Sequence, residues 1–295
     1  MKHASGARLA LVSGAVATLV VASCAVAGAS TSTKGRYNAN AAKLVPAVYK
    51  TGTLQVASDA TYAPDESMSG SKVVGFDADL MYAIATTLGI HVKENNATFS
   101  GIILGVQTNK YQIGNSSFTD TKAREKQVNF VDYFKAGEGV YAKSSSTVTI
   151  NGLKSLCGLK VAVETGTVEQ TDATNTAKHC ASNKKLTVLN YTTQTEADLA
   201  VSTGAANVGF LDSQIAGYVV SKSGGVFKLV GSAINVAPYG IATQKNARGL
   251  GLAKAIQAAL KVLIANGTYH AILAKWGVTA GAVPASKVVL NGAIS

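Results

Sequence analysis

The run Ser116-Ser117-Phe118-Thr119-Asp120-Thr121-Lys122-Ala123-Arg124 gathers short hydroxyl side chains just ahead of an arginine. Asp120 and Thr121 each offer a side-chain oxygen suited to capping a helix, so a helix is expected to start there. Helix starts carry free N–H donors and the positive end of a dipole, which suits an anion. Arg124 adds a planar fork of donors that matches a carboxylate. The chemistry would be capture of a small carboxylate, and the competing reading is a capped helix with a solvated arginine. Gly166-Thr167, beside Glu164 and Glu169, offers a second helix start of this kind. It is not a Walker loop, because no Gly-Lys-Ser/Thr follows. The paired acids Asp77 and Asp79 invite an acid–base reading; capping and orienting a helix N-terminus is the preferred one. The histidines at 3, 91, 179 and 270 fall away from every motif. Cys157, Cys180 and His179 lack a fourth ligand at zinc spacing, so neither a metal nor a cofactor is expected.

These residues sit in a chain of 295 residues, 47% hydrophobic and 15% charged, enough for about two domains with buried cores. The net charge of +11 is spread singly, without arginine-rich runs or interleaved aromatics, which argues against nucleic acid. A basic surface near an anionic membrane or cell wall accounts for it. Lys2 and Arg8 precede an apolar run from Leu9 to Ala22, too short to span a bilayer and laid out as a secretory signal. It ends Val21-Ala22-Ser23-Cys24, which resembles the lipobox of lipoprotein precursors. By that resemblance Cys24 becomes a lipidated mature N-terminus; the alternative is a plain signal cut near Ala27 or Ala29. Cys157 and Cys180 remain, and in an exported chain they most simply pair with each other, the alternative being two buried thiols.

Apolar periodicity supplies the framework. Strands are expected at 54–58, 90–93, 159–163, 186–189 and 208–212, and extended crossings at 131–143 and 234–242. Helices are expected around 80–88, from Phe99, from Thr195 to Gly204, over 213–221 and 250–264, and from Gly267 to Trp276. Strands alternating with helices imply an α/β fold with parallel sheets, whose ligands sit at the C-terminal ends of the strands.

In this order the motifs resemble the extracellular solute-binding proteins of family 3, which serve polar amino acid ABC importers. The resemblance covers roughly residues 50–278. It rests on Ser117, Thr119, Thr121, Arg124, Val128 and Phe130, on Gly75-Phe76-Asp77-Ala78-Asp79-Leu80, and on the closing helix with Trp276-Gly277. Two positions depart from the pattern: Ala78 replaces a larger aliphatic, and Val168 stands where a second hydroxyl or small polar residue is usual. The resemblance implies a two-lobed, type II periplasmic-binding-protein-like fold, each lobe a mainly parallel sheet flanked by helices, joined by two crossover segments. The boundaries expected are a lipoprotein signal at 1–23, a flexible tether at 24–43, lobe I at 44–141 and 239–279, lobe II at 142–238, and a C-terminal tail at 280–295.

The same resemblance assigns the site. Arg124 would grip the ligand α-carboxylate with Ser117, Thr119 and Thr167, and Asp212 would hold the α-ammonium. Tyr62 and Phe99 would pack on the ligand side chain and Asp59 would meet its tip. Each has a plainer alternative: packing for Tyr62 and Phe99, a cap or turn for Asp59 and Asp212. Trp276 is expected to be a packing residue. The function implied is a non-enzymatic, lipid-anchored receptor on the extracytoplasmic face of the cell membrane. It would be a monomer that binds a free polar or cationic amino acid and delivers it to an ABC permease. Asp59 favours glutamine, histidine, arginine or lysine over glutamate and aspartate. The alternatives are a dehydratase-like cleft enzyme, with Glu164 and Glu169 as its only cleft-side glutamates, and a solute sensor.

Overall fold

The structure is a computed structural model that describes residues 32–294. The signal segment, Cys24 and the first part of the tether lie outside those residues. Along the chain run α1 (Ala39–Ala42), β1 (Thr53–Ser58), β2 (Thr61–Tyr62), β3 (Glu66–Ser69), β4 (Lys72–Val74), α2 (Phe76–Leu88) and β5 (His91–Asn96). Then come α3 (Phe99–Gln107), β6 (Ile113–Gly114), α4 (Lys122–Glu125) and the long β7 (Val128–Lys143). The middle of the chain forms β8 (Lys160–Glu164), α5 (Val168–Ala177), β9 (Thr187–Tyr191), α6 (Gln194–Thr203), β10 (Val208–Asp212), α7 (Ser213–Lys222) and β11 (Phe227–Leu229). β12 (Ile234–Gln244), α8 (Ala247–Ala265) and α9 (Thr268–Trp276) complete it.

The main sheet has the order β5-β1-β6-β12-β7-β10-β8-β9, with β11 beside β7. β1 pairs in parallel with β5 and β6, and β8 pairs in parallel with β10 and β9. Between these two parallel halves lie the antiparallel crossover strands β7 and β12. The fold is therefore α/β and two-lobed, each lobe a mainly parallel sheet with its own helices. One lobe's core joins α2, α8 and α9 through Leu80, Ile84, Leu252, Ile256 and Tyr269. The other's lies around Val161, Val163, Val208 and Phe210. β10 is buried along its whole length, as strands covered on both faces are, and it ends in Asp212. Crossover strand β7 packs closely against the start of α7 at Gly139, where a Cβ would meet the Ser213 Cα at 2.8 Å.

Several local expectations change in the folded chain. The tether does not stay free up to residue 43. Asn38 caps α1, its N–H donates to the Thr87 carbonyl at 2.9 Å, and Ala41 and Val45 are buried on α2. Asp77 and Asp79 do not cap α2, whose N-cap is Gly75. Asp77 instead accepts from the Ser117 N–H at 2.9 Å and the Tyr133 hydroxyl at 2.7 Å. Asp79 accepts from Lys275 and from the Trp276 indole N–H at 2.7 Å. Trp276 packs against the first core, as expected of a packing residue. The loop after β1 carries an unexpected three-stranded meander, β2-β3-β4. Cys157 and Cys180 form a disulfide with a Cα–Cα distance of 5.6 Å. It ties the entry to β8 to the end of α5, so the simpler of the two cysteine readings holds.

Candidate functional site

Asp59, Tyr62, Phe99, Ser117, Thr119, Arg124, Thr167 and Asp212 line one pocket, together with Ser116, Glu164, Val168 and Glu169. Strand ends place them there. Asp59 follows β1, Phe99 opens α3, Thr167 opens α5 after β8, and Asp212 ends β10. The loop bearing Ser117 and Thr119 lies along β12, with the Asp120 N–H donating to the Pro238 carbonyl and the Gly240 N–H to the Phe118 carbonyl, both at 2.8 Å. The pocket retains about 10 Å³ of free volume, about enough for one water. An outer cleft of about 880 Å³ shares Thr119, Arg124 and Thr167 with it. As it stands, the inner pocket is too small for a solute larger than water.

Thr121 caps α4 by accepting from the Arg124 N–H at 3.2 Å. That short helix turns Arg124 inward, where it is 8% exposed beside the stacked rings of Phe99 and Phe118, with its guanidinium carbon 5.6 and 5.5 Å from their centroids. It donates to the Thr119 carbonyl at 2.8 Å and to the Gly166 carbonyl at 2.9 Å, so it links the two lobes. Burial lowers its pKa, and the charges of Glu169 and Asp212 oppose that shift.

Asp212 accepts from the Tyr62 hydroxyl at 2.7 Å, and the same hydroxyl accepts from the Asp212 N–H at 3.0 Å. Burial pushes the Asp212 carboxyl up to about 6, while hydrogen bonds from Tyr62 and Tyr239 and the Arg124 charge hold it down. Tyr62 thus reaches across the cleft to Asp212. Gln214 makes a second link, donating to Asp65 at 3.0 Å and to Tyr239 at 2.7 Å.

Some expected contacts are engaged by the protein itself. Asp59 accepts from the Thr61 N–H and hydroxyl at 3.1 and 2.7 Å and from the Phe99 N–H at 2.8 Å. It therefore fixes a turn and the start of α3 as well as lining the pocket. Ser117, at φ 47°, donates its hydroxyl to Asp65 at 3.0 Å. Thr167 donates to the Glu164 carbonyl at 2.8 Å and accepts from the Gln170 N–H at 3.1 Å.

Glu164 and Glu169, absent from the expected ligand set, are 2% and 1% exposed, and each has one carboxyl oxygen without a hydrogen-bond partner. Their nearness to the Gly166-Thr167 turn was the only signal for them in the sequence. Burial and the facing Asp59 push Glu164 up to about 9. Burial, Asp212 and Glu138 raise Glu169. Four carboxyl groups thus meet one guanidinium in this pocket. Among the described residues two ion pairs occur, Lys122–Glu125 and Lys275–Asp79, neither in the pocket. Among the same residues no cluster of His, Cys, Asp and Glu is placed to hold a metal. His91, His179 and His270 are exposed and lie outside the pocket.

Two α/β lobes joined by paired crossover strands, with an interlobe pocket that presents an arginine and an acid from opposite lobes, define a solute-binding protein of the periplasmic-binding type. Residues 54–279 match the model of the bacterial extracellular solute-binding proteins, family 3, and the chain belongs to that family. The arginine-binding protein ArgT of Corynebacterium glutamicum is 31% identical over 243 residues, covering 81% of this chain and 79% of that protein. Among solved structures, an ancestral arginine-binding protein bound to arginine superposes with a TM-score of 0.71 at 33% identity, covering 77% of this chain and 99% of its own. The ancestral amino acid-binding protein AncCDT-1, a precursor of cyclohexadienyl dehydratase, superposes with a TM-score of 0.68 at 30% identity, covering 76% and 95%. The chain is thus a family 3 solute-binding protein, and the relatives named here bind amino acids.

Proposed function

We propose that this protein is a lipid-anchored receptor that captures a free amino acid with a cationic side chain, arginine first, and hands it to an ABC permease. The observation that carries this reading is the placing of Arg124 and Asp212, from different lobes, on one pocket that also holds Asp59, Glu164 and Glu169. Arg124 meets the α-carboxylate with charge-assisted hydrogen bonds, and Asp212 meets the α-ammonium in a dry site. That leaves acids for a cation at the far end, between the rings of Tyr62 and Phe99. A neutral polar side chain such as that of glutamine is the weaker fit. The ligand favours the closed form because only there do both lobes touch it. Lobe I comprises residues 44–141 and 239–279 and lobe II residues 142–238, with the crossings near the β7–β12 register shifts between Ile234 and Ala237 and between Tyr239 and Gly240. Cys24 carries the anchor, and the receptor acts as a monomer.

A thermal-shift screen against the twenty amino acids should give its largest stabilisation with arginine or lysine. Arg124→Ala should weaken that ligand by about 3 kcal/mol, roughly a hundredfold, in calorimetry. Unchanged binding by this variant refutes the site. Mass spectrometry of the mature N-terminus should find a diacylglyceryl group on Cys24. A second reading, a dehydratase-like enzyme, draws on the raised Glu164 carboxyl, which holds a proton at neutral pH as a general acid must. It requires chromatography to show conversion of a bound acid.

A further inference from the structure

We propose that Glu164 is the residue that selects a cationic ligand tip: with Asp59, across the closed cleft, it forms a two-carboxyl socket that holds one proton and exchanges it for a guanidinium or ammonium group. The inference rests on the amino-acid-receptor reading above and adds to it the residue that reads the ligand's charge and the proton that residue exchanges. Glu164 ends β8 in one lobe and Asp59 follows β1 in the other, and both line the inner pocket. Asp59 is held as an acceptor by three protein donors, from Thr61 and Phe99. Glu164 is 2% exposed and one of its oxygens has no hydrogen-bond partner. Two carboxylates cannot both stay charged in such a place without a cation between them.

The charged groups that face the pair are few. Asp198 of α6 and Asp212 act on Glu164 besides Asp59, and all three push its carboxyl in the same direction, after burial itself. Asp198 is already engaged by the Tyr141 hydroxyl and by Gln194, and Asp212 by Tyr62. Glu169 lines the pocket nearer Asp212 and Arg124. Arg124, the pocket's cation, bonds to the Thr119 and Gly166 carbonyls. The proton on Glu164 therefore bridges to Asp59. When an arginine or lysine enters already charged, its tip takes that place, Glu164 becomes a carboxylate, and the proton leaves to water. No other bond changes. A glutamine amide, which is neutral, accepts from the Glu164 hydroxyl and displaces no proton.

Calorimetry at pH 7 in two buffers of different ionisation enthalpy tests this, with arginine, lysine and glutamine as probes. Wild type should release about one proton with arginine or lysine and none with glutamine. Glu164→Gln keeps the neutral shape but has no proton to lose. It should abolish the release and lower the arginine-to-glutamine affinity ratio by about tenfold or more. Absence of proton release with arginine in wild type overturns the proposal, and this measurement needs no variant to fold. So does an unchanged ratio in Glu164→Gln, or a release that survives in Glu164→Gln and disappears in Glu169→Gln. Failure of the underlying reading looks different: wild type binds none of the three probes, or Arg124→Ala binds them undiminished, and the proposal falls with it.

Discussion

Tyr62 serves two purposes with one ring. Its face lines the pocket, and its hydroxyl both donates to and accepts from Asp212 across the cleft. Tyr62→Phe keeps the ring and leaves a buried carboxylate and a buried N–H each short of a partner. The ligand-free protein should lose about 1–3 kcal/mol, read from its urea midpoint at unchanged slope. An unaltered midpoint would mean that the clasp contributes nothing to the closed form. Asp59 illustrates the reverse economy. Its three internal hydrogen bonds tie the turn after β1 to the start of α3, so a single acid builds the pocket wall and lines it.

Among elements, the short α4 and the turn before α5 decide the site. Thr121 fixes the first, which aims Arg124. Gly166, at φ 91° with its Cβ position 3.1 Å from the Ser100 Cα, fixes the second, where a larger residue would push the lobes apart. α5 is also tied at its far end by the disulfide, which closes a loop with a sequence separation of 23. Removing it through Cys180→Ser should cost roughly 3 kcal/mol in loop-closure entropy. The expected signature is a lower chemical-denaturation midpoint, with wild type under reductant behaving like the variant. The tail beyond α9 is a further brace: Val288 is buried, Asn291 accepts from the Phe130 N–H at 2.8 Å, and the Ala293 N–H donates to Glu125 in α4 at 3.0 Å.

For the molecule as a whole, a chain of net charge +11 buries many of its acids without cations. Burial raises Asp77, Asp120 and Asp212 to about 6, Asp132 and Glu138 to about 8, and Glu164 to about 9. Their ordinary values are 3.8 for Asp and 4.5 for Glu. Between the two sets the native state binds more protons than the unfolded chain, so stability falls as pH rises. The ligand-free protein should therefore melt at progressively lower temperature from about pH 5 to pH 9 at fixed ionic strength. A melting temperature that climbs across that window would contradict the burial of these acids as carboxyls. A cationic ligand should flatten the decline, because it adds a charge that the ionised acids can pair with.

The sequence by itself determined most of the order of strands and helices, the two-lobed class, the paired cysteines and eight of the residues that line the pocket, from Asp59 to Asp212. The order of elements is written in local signals such as periodicity, capping residues and glycine stops; the two lobes and the pocket residues followed from the resemblance of short motifs, in a fixed order, to family 3, and the cysteine pair from there being two in an exported chain. Only the tertiary structure decided how those side chains spend their hydrogen bonds. It turned the Ser117 hydroxyl to Asp65, gave Asp77 to Ser117 and Tyr133 rather than to a cap, and docked the end of the tether on α2. It also brought Glu164 opposite Asp59, more than a hundred residues apart in the chain. No pattern along a strand can announce such a meeting, because burial and facing charge arise when the two lobes close on each other.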